Sequence, residues 1–419
     1  MNENGSDRPP GGAGRHHVYL DFAATSPLSG TVRDAMRAAE EQAFGNASSS
    51  HWAGRAASRV LEAARSAVAR RAGLGDRVVF TSGATESNWL AILGLLRGCS
   101  ANRLLVSAIE HDSVLSTRDY VQSLGAETAE IGVDRLGRIR LDHLTELLAD
   151  RPAVVAVMHA NNEVGTLQPV AEIAEMVHHS GGLLHVDAVQ SFGKVDLDEL
   201  IEADTVALSA HKISGPKGTG AVLARSGVEL NPPLSGAQEL GLRRGTQNVP
   251  AIAGFARAAA ESDPKVVGPA LRSRALALRE ALTEAVPGIR WTGDLVDRAP
   301  HIVSCVIPGV AGGILAESVD ALGVAVSVGS ACTAGSGQPS HVLRAMGASS
   351  VDAACAVRLS VGLATTDADI AYAVWAIGEA VRRLRAILLT AEPAPSTRRT
   401  RARASRGHSV APTGGATHP

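Results

Sequence analysis

Short apolar runs alternate with amphipathic stretches through the middle of the chain. Arg77–Thr81 (RVVFT), Arg103–Ser107 (RLLVS), Ala153–Met158 (AVVAVM), Leu183–Val186 (LLHV) and Val206–Ser209 (VALS) predict buried strands. Their unbroken apolar character suits a mostly parallel sheet covered on both faces. Between two of them, Ile173, Met176 and Val177 fall at i, i+3 and i+4, which predicts a helix over Ala171–His179. Gly181-Gly182 then supplies a left-handed stop. Val60, Leu61, Ala64 and Val68 mark another helix before the first strand. Repeated strand–helix units imply an α/β domain. After about Pro264 the pattern changes to a long Ala/Leu/Arg helix, an alternating stretch His301–Ile307 (HIVSCVI) and further helices, which reads as a smaller α+β domain.

The ends differ. Residues 1–17 are Gly/Pro/Asn-rich, and 393–419 turn to Pro, Ser, Thr, Gly and Arg, so both are expected to be disordered extensions. The 419 residues carry 40 basic and 42 acidic side chains, a formal net charge of −2. That balance argues against a whole-protein nucleic-acid or membrane-surface role. No apolar stretch approaches the ~18 residues of a membrane helix, and the start lacks the apolar region of a signal peptide. Cys99, Cys305, Cys332 and Cys355 are scattered without a C-x-x-C pair, which suits a reducing cytosol better than secretion. The expected location is cytoplasmic. Lysine is scarce: only Lys194, Lys212, Lys217 and Lys265 occur.

In an open α/β sheet, ligands bind beyond the carboxyl ends of the strands. After RVVFT comes Ser82-Gly83-Ala84-Thr85-Glu86-Ser87-Asn88, a small-residue turn entering a helix. Free N–H groups and hydroxyls there make a phosphate cradle, although Ser82 could simply cap the helix. After RLLVS comes Glu110-His111, where a histidine could equally be a cap or a core side chain. After AVVAVM comes His159-Ala160-Asn161-Asn162-Glu163, with two adjacent asparagines and no obvious structural need for them. Asp187 and then Gln190 follow LLHV, and Ala210-His211-Lys212 with Gly215-Pro216-Lys217 follow VALS. Successive strand ends thus offer a phosphate turn, a ring, an amide, a carboxylate and a lysine. One cofactor uses them all: pyridoxal phosphate needs a lysine amine for its aldehyde, a carboxylate for its pyridine nitrogen and helix N-termini for its phosphate. Among the lysines, Lys265 lies in the connection to the second domain and looks solvated. Lys194 (SFGKVD) is expected on the surface, and Lys217 could neutralise a phosphate. Lys212 ends a buried strand, where desolvation favours a reactive amine.

Cys305 alternates within a core strand, and Cys99 and Cys355 border Ala/Leu-rich helices, so these thiols read as small hydrophobes. Cys332 lies in VSVGSACTAGSGQPSHVL, a small-residue stretch without apolar periodicity, and is the accessible candidate nucleophile. Arg358 (AVRLSVG) is a candidate clamp for a substrate α-carboxylate, with a surface salt bridge as the plain alternative.

Eight ordered motifs, YLDFAATSPL, FTSGATESN, EHDSVL, HANNEVGT, HVDAVQSFGK, SAHKISGPKG, RRGTQN and VGSACT, resemble the cysteine desulfurases of the class V aminotransferase group. The resemblance runs from about Val18 to Leu388, and TAGSGQPS between Cys332 and His341 matches the longer mobile loop of the iron–sulfur-cluster-type subgroup. It implies the fold type I of pyridoxal-phosphate-dependent transferases. In that fold, residues 18–28 join the small domain and 29–263 form a large domain with a seven-stranded, mostly parallel sheet. Residues 264–392 form the small domain carrying the cysteine loop. It implies Lys212 as the Schiff-base lysine, Asp187 on the pyridine nitrogen and His111 stacked on the ring. Gln190 would meet the phenolic oxygen, and Asn162 would lie near it and the substrate carboxylate. Ala84, Thr85, Ser209 and His211 would hold the phosphate, with Thr246 reaching across from the second subunit of a homodimer. Arg358 would bind the cysteine carboxylate, and Cys332 would take the sulfur as a persulfide for a protein acceptor, either a cluster scaffold or a thiolation enzyme. Ala47 stands where proline is usual after FGN, Ser235-Gly236-Ala237 replaces a glycine triplet and Phe22 replaces a common tyrosine; none removes a catalytic group. Rival readings are a selenocysteine lyase of the same fold and a non-catalytic scaffold that binds an acidic partner or nucleic acid through the Arg-rich tail.

Overall fold

The computed structural model describes residues 17–74, 77–99, 101–149, 151–329 and 339–390. A seven-stranded sheet forms its centre, in the order Arg77–Thr81, Gly220–Ala224, Thr205–Ser209, Leu183–Asp187, Val154–Met158, Arg103–Ser107, Glu127–Ile131. Only Gly220–Ala224 runs antiparallel to its neighbours. Successive side chains of a strand point to opposite faces, and here both faces are buried. Val78 and Phe80 join one core with Leu61, Val68, Ile252 and Phe255 of the helices Trp52–Ala72 and Val249–Glu261. Val79 joins another with Leu90, Ile92 and Val114 of the helices Ala84–Gly98 and Asp112–Ser123. This double cover is why the strands read as unbroken apolar runs. The two strands that the pattern does not predict escape it for different reasons. Glu127–Ile131 (ETAEI) is a half-exposed edge, and Gly220–Ala224 (GAVLA) begins within a glycine-rich turn.

The C-terminal part has its own core around a three-stranded antiparallel sheet, Ala356–Ser360, Ile302–Val306 and Arg290–Trp291. The helices Pro264–Ala285 and Asp367–Thr390 pack on it through Leu271, Leu278, Ala373 and Ile377. Cys305 is buried there, which pushes its thiol up to about 12. The N-terminal segment threads between the two parts. Val18–Tyr19 pairs in parallel with Val324–Ala325, and Asp21 bridges Ser360. The Tyr19 hydroxyl donates to the carbonyls of Asp21 and Thr25, shaping the turn, and the Phe22 ring fills the space where any Cβ on Gly362 would stand. Among the described residues no helix is long and apolar enough to cross a membrane.

Candidate active site

The turns after the strands converge on one cavity of ≈ 420 Å³. Ala84, Thr85, His111, Asn162, Asp187, Gln190, His211, Lys212 and Arg358 all line it, with Lys217 at its edge. Ser209 is buried at the end of its strand, while Thr246 is exposed and does not line the cavity of its own chain. Cys332 lies outside the described residues, as do 1–16 and 391–419. The stretch that contains Cys332 is nevertheless tied at both flanks. Ser327 exchanges backbone hydrogen bonds with Arg358, Ser340 Oγ donates to Glu163 Oε2 (2.5 Å), and His341 Nε2–H donates to the Glu110 carbonyl (3.0 Å).

The cradle expected after the first strand differs in one detail. Gly83, not Ser82, is the N-cap of the Ala84–Gly98 helix, and no side chain caps it. The Ser82 N–H is instead taken by Glu86 Oε2 at 2.6 Å, because Gly83 at φ +151° turns the chain where a serine would not follow. Burial alone would raise the Glu86 carboxyl, but Arg243 and Ser82 outweigh it and hold it below the usual range. The helix start is therefore left with unsatisfied N–H groups and a positive dipole end. A Cβ at Gly220 would sit 2.7 Å from the Gly83 backbone, so glycine is needed for this close approach. Ser209 pairs with Gly220 across the sheet, and its hydroxyl, like that of Thr219, is buried without a hydrogen-bond partner among the described residues.

Lys212 sits in the short Ala210–Ile213 turn, its Nζ 2.7 Å from the carbonyls of both Ala23 and Ala24. Asp187 is buried; its Oδ2 accepts from Asn88 Nδ2 (2.8 Å) and its Oδ1 from the Val189 N–H (3.0 Å). His111 caps the Asp112–Ser123 helix and lines the cavity rather than the core. Burial pushes its imidazole below the ordinary value, with Lys212 adding and Asp187 opposing. Gln190 donates to the Ala23 carbonyl (2.9 Å) and meets His301 Nε2 (3.1 Å). His211 is pushed down to about 4 by burial and by Lys212, Lys194 and Lys217.

Three expectations need correction. Lys194 is not on the surface; it is 7% exposed, its Nζ donates to the Gln190 carbonyl, and burial with Lys212 nearby lowers it to about 7. The turn after its strand folds under the sheet rather than outward, with Phe192 fully buried beside it. The paired asparagines divide their work. Asn161 is structural, with Oδ1 accepting from the Glu163 and Val164 N–H groups and Nδ2 donating to Ile109, and only Asn162 lines the cavity. Arg358 does form an ion pair, with Asp21 at 2.7 Å, but a buried one; its other terminal nitrogen donates to the Asn162 carbonyl and its Nε is unpartnered.

Sequence reasoning passed over Asn88, Ser113, His185 and Glu110. A histidine inside the apolar run LLHVD and an asparagine on a buried helix face were the available signals, because buried polar groups need partners. Glu110 is fully buried, and burial and Asp187 raise it well above the carboxylate range. His159 and His185 are lowered to about 4 and about 3 by burial. The unfolded chain therefore binds these protons near pH 6.5, before the folded one does. Their stabilising contribution is present above pH 6.5 and is lost as pH falls toward 3. Urea unfolding between pH 7 and pH 4 should show a loss on the order of 3 kcal/mol for each of the two rings, and a smaller total loss in His185→Gln; a flat profile would contradict the burial of these rings.

The "Aminotransferase class-V" family matches residues 18–372. A cysteine desulfurase of Archaeoglobus fulgidus is 39% identical over 377 residues, covering 88% of this chain and 98% of the relative. A solved NifS-like protein superposes with a TM-score of 0.80 at 32% identity, over 88% of this chain and 100% of that one. A solved structure described as SspA in complex with cysteine gives 0.71 at 30% identity, over 83% and 100%. The chain belongs to the class V aminotransferase family, and within it to the cysteine desulfurases.

Proposed function

We propose that the cavity binds pyridoxal phosphate and L-cysteine, that the sulfur moves to Cys332, and that L-alanine leaves. The observation that carries this reading is the convergence of Lys212, Asp187 and His111 on one cavity beside an uncapped helix start. The residues fit the group, because the orphaned Ser209 hydroxyl and the free N–H groups of the cradle suit a dianionic phosphate. When bound, the group supplies a ring that stabilises negative charge at the substrate α-carbon. The Asp187 carboxylate keeps a proton on the ring nitrogen. The Lys212 amine leaves its two carbonyl partners to anchor the group and to take the α-proton. Arg358 turns its remaining N–H donors to the substrate carboxylate, and His111 covers the ring and keeps water off. The C–S bond of cysteine breaks as an S–S bond forms on the Cys332 thiolate, and the former β-carbon takes a proton. The persulfide then passes to a protein acceptor. Thr246, exposed on its own chain, serves the second site of a homodimer. That the solved SspA structure is a complex with cysteine supports the substrate.

Incubation of the protein with pyridoxal phosphate and labelled L-cysteine should give equimolar alanine and protein-bound sulfur that dithiothreitol releases. No alanine would overturn the reading. Arg358→Lys should raise KM for cysteine about tenfold with a smaller change in kcat, as expected for ground-state positioning. Arg358→Ala should also cost stability, on the order of 3 kcal/mol, because it strands Asp21 in a largely buried place.

A further inference from the structure

Along and behind the cavity, six polar side chains form one unbroken chain of hydrogen bonds. Asn88 Nδ2 donates both to Asp187 Oδ2 and to Ser113 Oγ, each at 2.8 Å. Its Oδ1 meets His185 Nε2 at 3.0 Å, and His185 Nδ1 meets Thr205 Oγ1 at 2.9 Å. Ser113 meets His111 Nδ1 twice, through its hydroxyl (2.9 Å) and its backbone N–H (3.1 Å). Asn88, His185 and Thr205 are fully buried, and Ser113 and Asp187 nearly so.

Each direction in this chain is forced. The Asp187 carboxylate only accepts, so the NH₂ end of Asn88 must face it and the carbonyl end must face His185. That carbonyl only accepts, so His185 carries its proton on Nε2, and its Nδ1 accepts from the Thr205 hydroxyl. At the other end, Ser113 Oγ receives a proton from Asn88 and directs its own at His111 Nδ1. The Ser113 backbone N–H points at the same nitrogen. His111 Nδ1 therefore has two donors aimed at it and no acceptor, and the neutral ring must carry its hydrogen on Nε2.

We propose that Asn88, Ser113 and His185 are positioning residues: His185 and Asn88 orient the Asp187 carboxylate, and Ser113 locks His111 as the Nε2–H tautomer. His111 thus offers the cavity a hydrogen-bond donor and no lone pair, so a substrate proton goes to the Lys212 amine. Burial lowers both rings and keeps them neutral at pH 7, in keeping with this arrangement. The charged or titratable groups that bear on His111 are Asp187, Lys212, Asp112 and His341. Glu110 bears on Asp187 from the same side. The assignment rests on the functional reading above only for its role in the reaction; the tautomers belong to the protein alone.

The test uses the full chain, labelled with ¹⁵N-histidine and without added ligand, with His111 and His185 assigned through His→Gln variants. Imidazole ¹⁵N shifts at pH 7 should show both rings neutral with Nε2–H. Asn88→Ala removes the only acceptor of the His185 Nε2–H in this chain, so His185 should change to a mixture of tautomers, while the Ser113 backbone N–H holds His111 as it was. The same variant should bind pyridoxal phosphate about tenfold more weakly. A purely structural role for Asn88 would leave the His185 signature in place, and that result overturns the proposal, as does Nδ1–H on either ring of the wild type. If Asn88→Ala does not fold, Thr205→Val, read at His185, replaces it: the Asn88 carbonyl still holds the proton, so His185 should stay Nε2–H, and Nδ1–H there counts against the chain. Failure of the wild type to bind pyridoxal phosphate would instead sink the functional reading and leave the tautomer result to stand or fall by itself.

Discussion

Lys212→Ala should abolish the visible absorbance that the pyridoxal-phosphate-loaded protein develops and reduce alanine formation from cysteine by roughly 10³-fold or more. The size of the effect follows from two roles resting on one amine, the covalent anchor and the acceptor of the α-proton. None of the other three lysines can stand in. Lys265 is exposed near the start of the Pro264–Ala285 helix. Lys217 is exposed at the cavity edge, where it can meet a phosphate but not an aldehyde across the site. Lys194 is close in sequence to Asp187 and buried, yet it does not line the cavity and its Nζ is directed at the Gln190 carbonyl. A Lys212→Ala protein that keeps its absorbance would move the anchor to Lys217 or Lys194, and mass mapping after borohydride reduction would say which.

Cys332→Ala should keep the absorbance and the fold but lose protein-bound sulfur, with sulfur transfer to dithiothreitol falling by about 10²-fold or more. The remaining thiols cannot replace it. Cys305 is pushed up to about 12, so at neutral pH its thiolate fraction is negligible, and it faces the core of the C-terminal part. Cys355 is buried among Val306, Val342 and Met346, and Cys99 lies at the far end of the helix that begins at the cradle. The chain leaves the described residues after Gly329 and resumes at Pro339. Ser327, five residues before Cys332 in the sequence, is paired with Arg358 at the cavity wall. Full sulfur transfer by the Cys332→Ala protein would place the nucleophile elsewhere and reopen the lyase reading, in which this cysteine matters less.

The sequence discloses residues that break a pattern and hides those that conform to one. Buried strands with both faces covered could be read directly, and so could the polar groups at their ends, since a carboxylate or lysine after an apolar run has no packing reason to be there. Asn88, Ser113 and His185 were hidden because each occupies an ordinary helix or strand position, and only the three-dimensional register brings them together. Lys194 was misjudged because a lysine in a turn is ordinarily solvated, and nothing in SFGKVD signals that this turn folds beneath Gln190. The pairing of Arg358 with Asp21 spans more than three hundred residues, a separation that no local pattern records.

That last separation bears on how the protein is made. Lys212 rests on the carbonyls of Ala23 and Ala24, Arg358 on Asp21, and the Ala23 N–H on the Ser360 hydroxyl, 337 residues away. Residues 18–25 leave the ribosome long before the Ala356–Ser360 strand and wait until it has been synthesised before they can all take their places. The N-terminal strap, threaded between the two parts of the fold, therefore couples completion of the site to completion of translation. A nascent chain that stalls before Val324 carries the lysine and the cradle but no closed pocket, and it leaves Val18 and Leu20 as unpaired apolar residues for a chaperone to hold.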